Sequence, residues 1–432
     1  MKIENLEIFL YLCSMLINEQ TRAFIRQHRD DDVRRLALQG TKQEDVDLPM
    51  ALQQIAGRQM ARKKLPSWAA VDGIIYPPHL NMEQCSSEQT ARYKQGLITH
   101  FEGREKTFVD LTGGFGVDFY WMSQGFAKRI YVEQNAALCA ISSENFRTLE
   151  LECDVCCCDT ANYLTEMPKA TVVYLDPARR NEHGGRTYGI ADCTPNVLEL
   201  LPLLLAKADR IILKLSPMLD WRKAVEDMQM HHASVSEVHI VSVDNECKEL
   251  LLVIDKEMSV ETQLACVNLH LDGSSEAPLT LSVRKARTGS PNGSDCQSAP
   301  IGLVTNQHLD ANNLFLYEPN ASIMKAGCFE QVERQFAVRQ LSTNSHLFVS
   351  NVEVADFPGR KFQVCAISSM NKQELKTALA AISQANITIR NFPLSVEQLR
   401  KKLKLKDGGN TYIFATTLSD GQHKLLICRK IG

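Results

Sequence analysis

From Thr107 onward, short apolar runs of strand length alternate with stretches long enough for helices, and this rhythm constrains the fold more than any other feature of the chain. The runs are Thr107–Leu111, Arg129–Glu133, Cys153–Cys158, Val172–Asp176, Arg210–Leu215, Glu237–Val243 and Leu250–Asp255. Helix-length segments separate the first five, which predicts crossover connections and a parallel sheet. The last two are joined only by Asp244–Glu249, a link too short for a crossover, so they must pair antiparallel. The expected class is α/β: a Rossmann-like sheet, a helical N-terminal region before it and a smaller α/β module after it.

The flanking regions read differently. Apolar residues recur at helical spacing in Glu4–Leu16, Thr21–Gln27, Asp31–Leu38 and Met50–Ala61, with a candidate cap in Asp30–Asp32. Ser86 is the expected N-cap of a further helix, with Gln89 at its N3 position and an end near Phe101. The apolar stretch Leu6–Ile17 is shorter than the ~20 residues of a membrane span. Glu4 and Glu7 give it the wrong charge for a signal segment, so neither anchoring nor secretion is expected. Beyond Val260, strands are expected at Gln263–Leu271 and Leu279–Val283, and Thr288–Pro300 reads as a loop rich in Gly, Ser, Asn and Pro. Strands near Phe315, Phe348, Phe362–Ile367, Ile387–Arg390, Tyr412–Thr417 and Leu425–Arg429 follow, with helices near Ser322–Arg339, Lys372–Ala385 and Ser395–Leu403. The expected division is a helical domain over 1–104, a ligand-binding sheet domain over 105–260, a linker with a small ferredoxin-like segment over 261–327, and a last domain over 328–432.

Charge and cysteine usage exclude some classes. The net charge of −3 rules out a polycation held to nucleic acid by bulk charge, so any such contact must come from local basic patches. Cys153, Cys156, Cys157 and Cys158 crowd one apolar run, and the 14 cysteines fit no disulfide framework, which points to a reducing cytoplasm. No second cysteine pair or histidine pair lies at zinc spacing, so no metal is expected and the cysteine run reads as a core strand.

The segment Phe108-Val109-Asp110-Leu111-Thr112-Gly113-Gly114-Phe115-Gly116-Val117-Asp118 carries the strongest chemical signal. An apolar strand runs into glycines, whose missing side chains allow a sharp turn and close approach to a ligand. The dinucleotide fingerprint G-x-G-x-x-G/A fails, because Phe119 stands at its third position. Asp110 would also repel a pyrophosphate, whereas it suits a ligand without phosphate that carries a sulfonium and an ammonium. Glu133, 23 positions after Asp110 at the end of the second strand, suits the two hydroxyls of a ribose. Asp159, after the third strand, is placed to accept from an adenine amine.

Asp110–Asp118 is similar to motif I of class I methyltransferases, with Thr112 in place of the usual first glycine. Together with Gln84-Cys85-Ser86-Ser87-Glu88, Asp176-Pro177-Ala178-Arg179-Arg180 and Tyr317-Glu318-Pro319-Asn320-Ala321, it resembles the bacterial class I S-adenosylmethionine-dependent methyltransferase family that carries a C-terminal THUMP-like domain. The resemblance covers nearly the whole chain. It implies S-adenosyl-L-methionine as cofactor, held by Asp110, Thr112, Gly113, Gly114, Gly116, Asp118, Glu133 and Asp159. It also implies RNA as substrate, a tRNA base amine being one candidate target, because THUMP domains bind tRNA.

Asp176-Pro177-Ala178-Arg179-Arg180 closes the fourth strand, on the sheet edge where ligands of doubly wound folds bind. It resembles the (Asn/Asp/Ser)-Pro-Pro-(Tyr/Phe) segment of amino-methylating enzymes, so Asp176, Pro177, Arg179 and Arg180 are the candidate reaction centre. It departs at Ala178, in place of a second proline, and at Arg179, in place of an aromatic. Arginine can stack on a base or hold a phosphate. Lys214, in Lys214-Leu215-Ser216-Pro217, either faces the same cleft or snorkels to the surface. Two basic clusters, Arg58, Arg62, Lys63 and Lys64, and Arg400, Lys401, Lys402, Lys404 and Lys406, are candidate phosphate-tracking surfaces. The alternatives are a methyltransferase of proteins or small molecules, and a non-catalytic module that binds RNA or cofactor.

Overall fold

The computed structural model describes residues 17–41, 43–179, 189–257, 261–271, 278–284, 304, 309–311 and 313–431. Leu6–Leu16, Arg180, most of the Glu182–Gly189 loop and Thr288–Pro300 lie outside the described residues. The chain forms two compact units, Met1–Val238 with Glu249–Ser259, and His239–Lys248 with Val260–Gly432.

In the first unit the sheet strands are β1 (Gly103–Asp110), β2 (Phe126–Glu133), β3 (Asp154–Cys157) and β4 (Ala170–Leu175). A two-stranded ribbon, β5 (Ala178–Arg179) with β6 (Cys193–Thr194), comes next, then β7 (Ala208–Leu215); β8 (Val235–Val243) and β9 (Glu246–Asp255) are each divided between the two units, at Val238 and at Glu249. The main order is β3-β2-β1-β4-β7-β9. Every pairing from β3 to β7 is parallel, and β9 runs antiparallel to β7. Asp244 and Asn245 both take positive φ, 46° and 64°, which lets the chain reverse from β8 into β9 in two residues, as the short link required. From β1 the chain proceeds to β2 and β3 on one side, then returns to lay β4 on the other. The strand order therefore reverses between β1 and β4, and their carboxyl ends open the crevice in which such sheets bind ligands.

The parallel strands are near-continuous apolar runs because helices cover both faces. Phe108, Val109, Val172, Val173, Ile212 and Leu213 are fully buried. Phe119, Phe126, Tyr131 and Phe146 pack on this layer, with Phe119 and Phe146 ring centroids 5.1 Å apart. The N-terminal helices belong to the same unit. Trp68, Tyr76 and Met82 share a buried cluster with Phe115 and Val117 of the glycine segment. Asn145 clasps the backbone of Ile75, accepting from its N–H (2.8 Å) and donating to its carbonyl (2.9 Å).

In the second unit β10 (Glu261–Leu269) pairs antiparallel with β11 (Leu279–Arg284). A further sheet is built from β12 (Phe315–Pro319), β13 (Arg339–Gln340), β14 (Phe348–Ser350), β15 (Gly359–Ser368), β16 (Asn386–Arg390), β17 (Thr411–Thr417) and β18 (His423–Ile431). Its order is β13-β14-β12-β15-β18-β17-β16, with Leu316, Phe362, Phe414 and Leu426 in its core.

Two local expectations are corrected. Ser87, not Ser86, caps the helix Glu88–Gly96, accepting from the Thr90 N–H at 3.2 Å, and the helix stops at Gly96 rather than near Phe101. Ser86 points inward instead. The single helix expected over Ser322–Arg339 is two, Ala321–Ala326 and Phe329–Phe336, because Gly327 adopts φ 67° and ends the first. Asp32 caps Val33–Gln39 by accepting from the Arg35 N–H at 2.8 Å. Replacing Ser87 by Ala is expected to destabilise the first unit by about 1 kcal/mol in urea denaturation, the usual effect of a lost N-cap.

Candidate functional site

The crevice between β1 and β4 gathers most of the residues singled out by sequence. After Asp110 the chain turns through three glycines into the short helix Val117–Met122. Gly116 takes φ 82°, and a Cβ there would lie 2.5 Å from the Phe146 ring. A Cβ on Gly113 would lie 2.1 Å from the Tyr131 ring. Packing therefore demands these two glycines. Gly114 differs: it takes φ 55°, and a Cβ there would meet nothing nearer than the Thr112 carbonyl at 3.9 Å. The loop is open at that point. Thr112, where the motif has glycine, accepts the Asp176 N–H on its hydroxyl at 2.6 Å and so ties the end of β1 to the end of β4.

Carboxylates converge on this loop. Glu133 accepts the Gly114 N–H at 2.8 Å and, on its other oxygen, the Asn135 N–H at 2.8 Å. Asp110 is 1% exposed. One of its oxygens accepts the Thr112 N–H at 2.9 Å, while Oδ2 is buried without a partner. Burial pushes the Asp110 carboxyl well above the ordinary range, and Asp118, Asp176 and Glu133 push it the same way. A buried carboxylate oxygen lacking a donor is costly unless something arrives to pair with it. Asp159 accepts the N–H groups of Ala161 (2.9 Å) and Asn162 (3.1 Å), capping Thr160–Glu166. The neighbouring Thr160 hydroxyl donates to the Leu111 carbonyl at 2.7 Å, which holds this helix start against the end of β1.

Beneath the loop lies an ionic network that the sequence did not disclose. Lys94 is 0% exposed. Its ammonium donates to both oxygens of Glu249 (2.8 and 2.7 Å) and to the Ser86 hydroxyl (3.1 Å), and lies 3.0 Å from Asp118. Asp118 Oδ2 accepts from the hydroxyls of Ser86 and Tyr174, each at 2.7 Å. Burial alone would raise the Asp118 carboxyl, but Lys94, Lys214 and these hydroxyls hold it below its ordinary range. Asp118, expected at the cofactor, is thus turned inward and holds the helix after the glycines to the network. Lys214 is not a snorkelling lysine: it lies 2.6 Å from Asp176 and 3.8 Å from Asp118. Burial by itself would lower the Lys214 ammonium, yet Asp176, Asp118 and Glu249 hold it above its usual range. Asp176 keeps 36% of its side chain accessible, on the open side of this pair. Pro177 is buried next to it, and Arg179 lies in β5, paired with Cys193 of β6.

Ser86, Lys94, Tyr174 and Glu249 were not named from sequence as site residues. Lys94 sits in a helix of mixed polarity and Glu249 lies just before the apolar run of β9, so only the fold brings them together across 155 positions. Three carboxylates (Asp118, Asp176, Glu249) pair with two ammonium groups (Lys94, Lys214), and Glu133 and the raised carboxyl of Asp110 lie close by, an excess of acidic groups around the loop. This arrangement suits a cationic ligand. Among the described residues no group of His, Cys, Asp and Glu could hold a metal ion.

Residues 359–430 match the THUMP domain-like family, and residues 315–358 match a ferredoxin-like domain. A crystal structure of a presumptive methyltransferase from Porphyromonas gingivalis W83 is similar over 97% of this chain and 100% of that one, at 30% identity and a TM-score of 0.79. The chain belongs to the class I S-adenosylmethionine-dependent methyltransferase family with a C-terminal THUMP-like domain. Weaker similarities reach a presumptive class I methyltransferase from Listeria monocytogenes (9% identity, 61% of this chain and 91% of that one, TM-score 0.37). They also reach a presumptive RNA methyltransferase from Pyrococcus horikoshii (15% identity, 45% and 97%, TM-score 0.34). No curated protein matches the chain. The Gln84–Glu88 motif of the family gains a physical reason: Ser86 enters the ionic network, Ser87 caps the helix, and Glu88 accepts from the Ser67 hydroxyl (2.7 Å) and N–H (2.9 Å).

Lys94→Met leaves Glu249 without its main partner and is expected to cost about 3–5 kcal/mol in chemical denaturation. Asp110 carries the opposite expectation. Its folded carboxyl is raised above 3.8, so above that pH the folded state holds a proton that the unfolded state has released. Stability therefore falls as pH rises from 3.8 through the raised value. Asp110→Asn should raise the melting temperature at neutral pH and flatten this decline, as thermal melts across a pH series will show.

Proposed function

We propose that this protein transfers a methyl group from S-adenosylmethionine to RNA, with a tRNA base amine as the target class. The observation that carries the reading is the buried, unpartnered Asp110 Oδ2 beside an open glycine turn whose Gly114 N–H is held by Glu133. S-adenosylmethionine, when bound, supplies the methyl on a sulfonium centre. Asp110 gives its orphaned oxygen to the ammonium of the donor. Glu133 retains acceptor capacity on both oxygens for ribose hydroxyls, and Asp159 accepts from the adenine amine. Gly113, Gly114 and Gly116 with Thr112 form the floor.

Asp176 is the group placed to meet the acceptor. Lys214 and the Thr112 hydroxyl fix it from the side and from its own backbone, leaving the accessible face of its carboxylate to accept hydrogens of an exocyclic amine. This orients the nitrogen lone pair, and positioning of that kind is worth effective molarities of ~10⁵–10⁸ M. Pro177 stiffens the strand end, and Arg179 and Arg180 hold a flanking phosphate or stack on a base.

The RNA assignment draws on the second unit. Lys401, Lys402, Lys404 and Lys406 are exposed at the end of the helix Val396–Leu403, while Leu399 and Leu405 on the same stretch are buried. Such a face attracts phosphates with salt-dependent affinity. Functionally the chain divides as a helical region (1–104), the methyltransferase sheet (105–260) and a connecting segment, followed by the ferredoxin-like (315–358) and THUMP-like (359–430) matches, which move both C-terminal boundaries expected from sequence. No helix among the described residues is long and apolar enough to cross a membrane, and free cysteines such as Cys156 and Cys157 suit the cytoplasm.

The deciding measurement is transfer of a labelled methyl group to total RNA, followed by nucleoside mass spectrometry. A labelled modified nucleoside is expected; label confined to protein or small molecules overturns the RNA assignment. Asp176→Ala should abolish transfer with cofactor affinity within a few-fold of wild type. Asp110→Ala and Glu133→Ala should instead weaken cofactor binding in calorimetric titration, by about 1.5–3 kcal/mol for each charged hydrogen bond removed.

A further inference from the structure

Asp110 differs from the other acids of the crevice in what surrounds it. It ends β1 and is 1% exposed. One oxygen accepts the Thr112 N–H at 2.9 Å, and Oδ2 is buried without a partner. Among the described residues no cationic side chain pairs with it. Lys94 is committed to Glu249 and Asp118, and Lys214 to Asp176 and Asp118.

The titratable groups that face Asp110 come from three elements. The strand β2 brings Tyr131 and Glu133, β4 brings Tyr174 and Asp176, and the helix after the glycines brings Asp118. Neither tyrosine hydroxyl supplies the missing hydrogen, because Tyr131 donates to the Gly114 carbonyl and Tyr174 to Asp118. The remaining three are acids. An ionised Asp110 would therefore lack solvent, counter-ion and a second donor, and would face like charges. A buried acid in that position neutralises itself by holding a proton. Burial and these neighbours raise its carboxyl well above the ordinary range, in agreement with the geometry.

A neutral carboxyl attracts no cation, whereas a carboxylate–ammonium hydrogen bond is of the strong, charge-assisted kind. We propose that Asp110 holds a proton in the empty site and exchanges it for the ammonium of S-adenosylmethionine. The inference rests on the cofactor reading above and adds the chemistry by which that cofactor is admitted. The exchange balances: a carboxyl and an ammonium become a carboxylate–ammonium pair, and one proton passes to solvent. The group recognised is the ammonium of the amino-acid portion rather than the sulfonium. S-adenosylhomocysteine keeps that ammonium without the sulfonium charge and releases the same proton. Methylthioadenosine keeps only the ribose and adenine that meet Glu133 and Asp159, and releases none. At low pH the ligand must displace the proton, so affinity falls as pH falls, by up to about tenfold per pH unit.

The test is calorimetric titration of the full-length protein with these three ligands, in buffers of different ionisation enthalpy. It spans about pH 5–7, below the ~7.7–8.0 of an α-amino group, so that the ligand ammonium stays charged. Release of up to one proton is expected with S-adenosylmethionine and S-adenosylhomocysteine, and none with methylthioadenosine. Asp110→Asn keeps the shape of the side chain without the titrating group. It should bind the first two ligands more weakly, release no proton and show affinity independent of pH. Release that persists in Asp110→Asn places the titrating group elsewhere and overturns the inference. Release with S-adenosylmethionine alone, or with methylthioadenosine as well, overturns it on wild type without any variant. Binding of S-adenosylmethionine with no proton release and no pH dependence overturns it while leaving the cofactor reading intact. Failure of wild type to bind either S-adenosylmethionine or S-adenosylhomocysteine overturns both.

Discussion

The Lys94–Glu249 ion pair, with Ser86, Asp118, Lys214 and Asp176 joined to it, is the interaction on which the first unit turns. It links the helix Glu88–Gly96, the helix after the glycines, and the strands β4, β7 and β9. Fully buried charges are weak sources of net stability, because desolvation offsets most of the attraction. They are strong sources of geometry: any other arrangement strands an ion in apolar surroundings. The position of Asp176 at the end of β4 follows from this, since Lys214 holds its side chain and the Thr112 hydroxyl holds its backbone.

Much of this architecture could be read from the chain alone, and the reasons differ by element. The parallel strands were legible because each is a near-continuous apolar run between helix-length spacers, and the β8–β9 reversal because Asp244–Glu249 leaves no room for a crossover. Asp110, Glu133 and Asp176 were legible because strand ends in a doubly wound sheet face one crevice. Ser86 was misplaced by one position: Ser86 and Ser87 are chemically equal as caps, and only the inward demand of Asp118 separates them. Lys94 and Glu249 were illegible for a stronger reason. Local pattern carries no information about a partner 155 positions away, and a lysine in a helix ordinarily reads as solvated. The inward turn of Asp118 belongs to the same class of surprise.

The site is built with a deficit. Asp110 is buried with one oxygen unpaired and further carboxylates nearby, a state that destabilises the fold in isolation. Gly113 and Gly116 serve packing, whereas Gly114 leaves its surroundings open. Sites of this kind trade stability for readiness to receive a cation. The second unit shows a related economy, in which Glu318 alone organises two arginines.

The discontinuity of the first unit has a consequence for the newborn chain. That unit is completed by Glu249–Ser259, after the chain has already contributed His239–Lys248 to the second unit. Lys94 leaves the ribosome 155 residues ahead of Glu249. At translation rates of ~5–20 residues per second, its ammonium waits roughly 8–30 s for Glu249, with Asp118 as its earlier counterion. Until then the helix bearing Lys94 is held by its earlier partners, Ser67 and Asp118, and a fragment ending at Val238 lacks the Glu249 carboxylate that completes the network.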